Sequence, residues 1–327
     1  MTNFPILQLP SQKVIIRVLR HMGPPELLLL SLLSRKTKFL VKSVQLKAPN
    51  FTIKINGSGI RFVMPYRKMS IDFYEGSEQK TLERPPEKVG IYLRIGFFRP
   101  YMVFNNNTLT LEEWLQHCQY IFNCNEAYQL DFDSGSTFDL ATLKALIGKF
   151  KYFSIDVNQE TITVAQQILR TFLPDVKNLR LYGNPFQRGD TNYQKMLTQN
   201  FEDLKLGFQQ NFDRFSLDDL LICNASTLTL SLTQNFKKIN EFLKLWIEGA
   251  NPRLRELWIL QGTPFIPDDI IEGIQIFKEI PAEETISFDS LLFRRHPNRR
   301  AVDIRRCDGT RGTIIIEINR FIFLVWN

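Results

Sequence analysis

Ser226–Thr233 reads STLTLSLT. Leu228, Leu230 and Leu232 alternate with hydroxyl residues, which is the period of a strand that buries one face. The same apolar-x-apolar core returns upstream at Leu204/Leu206, Leu179/Leu181, Phe153/Ile155 and Leu130/Phe132, and downstream at Leu257/Ile259, at intervals of 23 to 29 residues. Helical patterns lie between: Leu140, Leu143, Ile147, Phe150; Ala165, Ile168, Leu169, Phe172; Leu217, Leu220, Leu221; and Phe236, Ile239, Leu243, Trp246, Ile247. A strand and a helix every ~20–29 residues is leucine-rich-repeat spacing. It predicts parallel strands with helices on the outer side, although the repeat's characteristic asparagine position is not evident. The competing reading is an ordinary α/β domain with evenly spaced strands.

On either side the pattern changes. Phe51, Ile53 and Ile55 alternate with polar residues, Asn56-Gly57 offers a tight turn, and Ile60, Phe62 and Met64 alternate again, predicting a hairpin. Val89–Ile95 reads as a further strand. Thr110-Leu111-Glu112-Glu113 matches a capping box that opens a helix bearing Trp114, Leu115, Cys118, Ile121 and Phe122. Downstream, residues 301–306 and 313–325 read as strands joined across Cys307-Asp308-Gly309-Thr310. Ile314, Ile316 and Ile318 have one parity and Phe321, Phe323 and Val325 the other, so a bulge or break near Asn319-Arg320 is expected. Such a β end-piece would cover the open edge of the repeat sheet.

The first forty residues carry LPSQKVIIRVLRHMGPPELLLLSLLSRK, residues 9–36. Ser11 can cap a helix with Val14, Ile15, Val18, Leu19 and Met22 on one face. Gly23-Pro24-Pro25 stops it and introduces a second helix from Glu26. Its leucines, Leu27 to Leu30 with Leu32 and Leu33, cover nearly every direction around the axis. Ser34 can cap a third helix with Phe39, Leu40 and Val44. A helix apolar all round must be covered all round. The cover comes either from the rest of this chain or from another protein.

The 327 residues, 44% hydrophobic and 23% charged, are globular in composition. A net charge of +7 is mildly basic. None of the four cysteines forms a CxxC pair and the three histidines are scattered, so His117, Cys118 and Cys124 are read as ordinary side chains and no metal or cofactor is expected. Signal-peptide features and a run of ~20 apolar residues are lacking, so a cytoplasmic or nuclear protein without membrane partners is expected.

With these residues in view, the opening stretch resembles an F-box, approximately LPxxLLxxILxxLxxxDLxxLxxVSKxW. Leu9-Pro10 supplies the LP, Val14-Ile15 and Val18-Leu19 the apolar pairs, and Met22 the next apolar position. Glu26-Leu27 supplies the acidic-Leu step, Leu30 the following leucine, and Leu33-Ser34-Arg35 the VSK. It departs at Thr37, where many F-boxes have tryptophan; Phe39 is nearby. Residues 215–224, 239–249 and 251–254, with the ending AVDIRRCDGTRGTIIIEI, resemble the type 2 F-box-associated region of the large nematode F-box families.

The resemblance implies a non-catalytic substrate receptor of an SCF ubiquitin ligase, docked on a Skp-type adaptor and through it on a cullin-RING ligase. Its expected organisation is α/β: a three-helix F-box over 3–46 and a β-rich connecting region over 47–126. The leucine-rich-repeat-like array follows over 127–290, and a C-terminal β-hairpin cap over 291–327. The residues expected at the adaptor are Leu9, Pro10, Ile15, Leu19, Pro25, Leu27 and Leu30, some of which must form the box's own core. The substrate would lie on the strand face, where Asp131, Ser154, Arg180, Lys205, Thr229 and Trp258 sit between the apolar pairs, the exposed face depending on register.

Other function classes fit less well. No phosphate-cradling glycine loop, GxSxG or HExxH is present, and the acid pairs Asp131/Asp133, Asp218/Asp219 and Asp268/Asp269 suit a solvated face or helix starts. Arg294, Arg295, Arg299, Arg300, Arg305, Arg306 and Arg311, with His296, form a basic cluster that could hold phosphates. Arg305 and Arg306 would point to opposite faces of a strand, however, which disfavours nucleic acid. A repeat scaffold uncoupled from ubiquitination is the other alternative.

Overall fold

The computed structural model describes residues 11–48, 50–57, 59–64, 69–74, 84–95, 97–106, 108–124, 126–133, 135, 138–186, 190–207, 215–232, 238–281 and 300–326. The chain divides into two compact units, Met1–Phe153 and Ser154–Asn327.

The first unit opens with three short helices. α1, Gln12–Leu19, starts at Ser11, whose Oγ accepts a hydrogen bond from the Val14 N–H at 3.4 Å. α2, Pro24–Leu32, begins two residues earlier than Glu26. Pro24 and Pro25 occupy its first positions, where a missing N–H costs nothing. α3, Arg35–Ser43, is closed by a reciprocal cap: the Thr37 N–H donates to Ser34 Oγ at 3.2 Å and the Ser34 N–H to Thr37 Oγ1 at 3.0 Å. Thr37, the residue that departs from the F-box pattern, is therefore a buried capping partner.

Behind these helices stands a sheet built from β1 Thr52–Asn56, β2 Gly59–Met64, β3 Met69–Tyr74, β4 Lys88–Ile95, β5 Phe97–Asn105 and β6 Ala127–Asp133, in the order β6-β1-β2-β3-β4-β5. β1 runs parallel to β6 and the remaining neighbours are antiparallel. The β1–β2 register pairs Asn56 with Gly59, so Asn56 ends its strand one residue before the turn, and its Oδ1 accepts from the Gly59 N–H at 2.9 Å. α4, Leu111–Phe122, begins with the expected Thr110/Glu113 capping box. Its Trp114 ends an aromatic row, Phe51–Phe62–Phe73–Trp114, with centroid separations of 5.4, 4.7 and 5.6 Å. Alternation along β2 and β3 delivers Phe62 and Phe73 to this inner face, and Phe51 stands one residue before β1. α5, Leu140–Ile147, leads into β7, Phe150–Asp156, which crosses from one unit to the next.

The second unit holds the later strands of the expected array, whose first, with Leu130 and Phe132, is β6 of the first unit. β8 Asn178–Tyr182, β9 Asp203–Leu206, β10 Thr227–Leu232 and β11 Glu256–Gln261 are parallel. Their apolar residues align strand to strand. Leu179, Leu204, Leu228 and Leu257 form one row and Leu181, Leu206, Leu230 and Ile259 another, none more than 1% exposed. At roughly 2 kcal/mol per buried leucine these two rows supply much of the unit's cohesion. The helices are α6 Ile162–Phe172, α7 Thr191–Leu197, α8 Leu217–Ile222, α9 Ile239–Ile247 and α10 Pro267–Ile271. Asparagines bind repeat to repeat: Asn224 Nδ2 donates to Asn200 Oδ1 at 2.5 Å, and Asn251 Nδ2 donates to the Leu220 and Cys223 carbonyls at 2.9 and 3.2 Å.

Beyond β11 the sheet turns antiparallel, through β15 Arg320–Trp326, β14 Arg311–Glu317, β13 Arg300–Arg305 and β12 Lys278–Ile280. Of the bulge or break expected near Asn319-Arg320, the structure has the break, a two-residue turn at Ile318-Asn319 with Glu317 paired to Arg320. Chain reversal across two residues switches parity. Ile314 and Ile316 thus share a face with Phe323 and Phe321, all at most 1% exposed. The single expected strand over 313–325 is two strands, and β15 covers the edge of β11. Residues 291–299 of the expected cap lie outside the described residues.

Candidate interaction surfaces

Alpha-helical geometry, 100° per residue, gives α2 two apolar faces. Leu27, Leu28, Leu30 and Ser31 are buried, whereas Leu29 and Leu32 are half-buried and Leu33 is 62% exposed. The buried side looks toward α4. Ser31 Oγ donates to the Leu28 carbonyl at 2.6 Å, so its lone pair accepts from His117 Nε2–H at 2.7 Å. Burial, and after it the Lys38 ammonium, hold the His117 imidazole down at about 4. Tyr101 on β5 donates to Glu26 Oε1 at 2.7 Å, and Lys42 on α3 donates to the Tyr120 carbonyl at 2.9 Å while lying over that ring. The rear of the three-helix segment is thus fastened to its own unit.

Of the residues expected at an adaptor, Ile15, Leu19, Pro25, Leu27 and Leu30 lie in the interior, and Leu9 and Pro10 fall outside the described residues. Among the described residues of this segment, the apolar groups left open are Val14 (40%), Val18 (38%), Leu33 and Phe39 (57%). Val14 and Val18 are one turn apart on α1. Sequence could not divide the two sets, because what buries Leu27 and Leu30 is set by tertiary packing that the helical pattern does not report.

The six strand residues expected to bind substrate separate by unit. Asp131 stands in the first, in register with Lys54, whose Nζ is 3.5 Å from its Oδ2, and it accepts from Gln129 Nε2 at 2.6 Å. Ser154 is buried. Arg180, Lys205, Thr229 and Trp258 form one row across β8, β9, β10 and β11, each paired with the next, and all four are half-buried. Their neighbours in sequence are the fully buried leucines, so this row occupies the face opposite the leucine core. Asn178, Asp203, Thr227 and Glu256 form the adjacent row.

The basic cluster is largely neutralised where it is described. Arg300 contacts Asp268 at 2.7 Å and Glu279 at 3.0 Å, Arg311 contacts Asp303 at 3.0 Å, Arg306 contacts Asp308, and Arg305 lies 3.7 Å over the Phe277 ring. Arg294, Arg295, His296 and Arg299 lie outside the described residues. Cys118, Cys124 and Cys223 are buried and burial pushes their thiols upward, while Cys307 is exposed. Among the described residues no group of three His, Cys, Asp or Glu could hold a metal, and no helix is long and apolar enough to cross a membrane.

Comparison with known proteins falls on the same two regions. Residues 6–48 match the F-box domain and residues 192–259 the F-box associated family. The F-box associated domain-containing protein sdz-33 of Caenorhabditis elegans is 25% identical over 322 residues, covering 95% of this chain and 93% of that protein. No solved structure matches. The chain carries an F-box in its first unit and an F-box-associated domain in its second.

Proposed function

We propose that this chain is a non-catalytic substrate receptor of an SCF-type ubiquitin ligase. Its F-box docks on a Skp-type adaptor, which links it to a cullin-RING ligase, and the strand face of the second unit holds a protein substrate. The observation that carries the reading is that Val14, Val18, Leu33 and Phe39 stand exposed while Ile15, Leu19, Leu27, Leu28 and Leu30 are buried, in a segment that matches the F-box family. Isolated surface apolar residues are ordinary; four exposed on three consecutive short helices are offered here as the contact for a helical partner. Burying them removes apolar area at roughly 25 cal/mol per Å² without repacking the interior. Arg180, Lys205, Thr229 and Trp258 are the proposed substrate residues, and Asp131 belongs to the other unit's sheet face.

The test is capture of a purified recombinant Skp-type adaptor by the full chain. Val18→Asp combined with Leu33→Asp should abolish capture while leaving the melting temperature close to that of the parent, because both side chains are already exposed. Undiminished capture by the double variant would overturn the assignment.

A further inference from the structure

The charge of this chain is concentrated at one end. Residues 1–48, which contain the matched F-box, hold eight of the 41 cations and one of the 34 carboxylates. Taking those from the totals leaves 33 of each in residues 49–327, which are therefore neutral overall, and the net charge of +7 sits in the F-box segment. Its one carboxylate, Glu26, is half-buried and accepts from Tyr101 at 2.7 Å. Lys13, Arg17 and Arg20, the last the C-cap residue, follow one side of α1 beside Val14 and Val18. Arg35 and Lys36 lie one turn before Phe39 on α3, one to each side of it. All five cations are exposed. Among the described residues none of the five has a carboxylate within ion-pair distance, and Glu112 and Glu113 of α4, which packs against α3, reach none of them.

The fold gains little from this arrangement. Arg17 and Arg20 suit the negative end of the α1 dipole, but Lys13 and Arg17, then Arg17 and Arg20, are like charges at helical neighbour spacing and repel. Arg35 and Lys36 stand in the first turn of α3, where the dipole favours acids, and no acid is present in that turn. We infer that the F-box recognises an acidic contact surface: carboxylates on the adaptor face these five cations, steer its approach and fix its orientation. The inference rests on the adaptor reading above and adds the charge of the partner's surface. Charge complementarity of this kind acts on the association rate more than on the dissociation rate. Nucleic acid would use the same cations but offers nothing to Val14, Val18, Leu33 and Phe39 beside them. An anionic membrane would need an amphipathic helix laid flat in its surface, whereas α1 is two turns long and already buries Ile15 and Leu19 in its own unit.

The test measures association and dissociation rates of the full chain with a purified recombinant Skp-type adaptor at about 50 mM and about 500 mM salt, between which the Debye length falls from about 14 to about 4 Å. The association rate should fall about ten-fold and the dissociation rate change by less than about two-fold. At the lower salt, the triple variant Lys13→Gln, Arg17→Gln, Arg20→Gln and the double variant Arg35→Gln, Lys36→Gln should each associate about three-fold more slowly than the parent, and the gap should close at the higher salt. Lys177→Gln with Lys238→Gln removes charge from exposed positions in the second unit and should leave both rates at the parent's values, which separates placed charge from net charge. Capture with an association rate indifferent to salt, or slowed as much by the second-unit pair as by the F-box variants, overturns the inference and leaves the adaptor reading standing. No capture by the parent at either salt overturns the reading beneath it. Tighter binding to phosphatidylserine vesicles or to random duplex DNA than to the adaptor assigns the cations to a phosphate surface and overturns the acidic protein partner.

Discussion

His117 gives the clearest quantitative handle on how the F-box is held. Its side chain is 6% exposed, and its Nε2–H donates to Ser31 on α2. In the unfolded chain the imidazole titrates near its ordinary value of 6.5, and in the folded unit at about 4. Between these values the unfolded state binds a proton that the folded state refuses. Stability is therefore full above pH 6.5 and is lost as pH falls toward 4, by about 3 kcal/mol in total. Between pH 7 and pH 5 the loss from this one group is about 2 kcal/mol, a large share of a typical 5–15 kcal/mol. His117→Gln keeps an amide N–H able to donate to Ser31 and cannot titrate. Urea unfolding of both proteins at pH 7 and pH 5 isolates the effect, because carboxylates and other groups titrate alike in each. The parent should lose about 2 kcal/mol more than the variant. Equal losses would show that His117 charges freely in the folded state and that the α2–α4 seam is open to water.

Three further substitutions test the packing. Leu30→Ala removes a side chain 3% exposed on the sealed face of α2 and should cost about 3 kcal/mol in chemical denaturation. Gly207 has φ +110°, and a Cβ there would lie 2.0 Å from the Ser231 carbonyl oxygen, so Gly207→Ala should cost about 2 kcal/mol or more and lower the melting temperature. Arg61→Met strips Asp72, whose side chain is 7% exposed, of its two-pronged partner; a loss of about 3 kcal/mol, partly recovered by adding Asp72→Asn, should emerge from a double-mutant cycle.

The array was legible because its strands write period two with leucine at the buried positions, and the strand register then lined those leucines up without exception. α7 was not, since TNYQKML buries only Met196 and Leu197 and carries no apolar stripe. β5 was hidden by a nearly continuous apolar run containing Pro100, and Tyr101, Met102 and Val103 in fact stand exposed there. β3 was readable in principle: Met69, Ile71 and Phe73 alternate with Ser70, Asp72 and Tyr74. The repeat asparagines escaped notice because they precede the strands. Asn200 and Asn224 each stand three residues ahead of theirs, and Asn251 five ahead. Of the interaction surfaces, sequence alternation placed Arg180, Lys205, Thr229 and Trp258 together. Ser154 shares their parity and is nevertheless buried, and burial of that kind is set by neighbouring strands that alternation within one strand cannot report.

An apolar helix with two walls separates two roles that a sequence pattern merges. If the adaptor contact used Leu27 and Leu30, docking would require opening the unit that buries them, at a cost comparable to the several kcal/mol each cavity represents. The open set needs no such rearrangement, and the capped starts of α1 and α3 with the Ser31–His117 bond hold it in one orientation before any partner arrives, so less freedom remains to be lost on association. On the proposed function the two faces of α2 must then respond independently. Leu30→Ala should lower the unfolding midpoint yet capture the adaptor normally at temperatures where the protein is folded. Leu33→Asp should do the reverse. A variant of the sealed face that abolished capture while fully folded, or one of the open face that unfolded the unit, would mean that the interior wall of α2 and the wall supplied by the partner are not distinct.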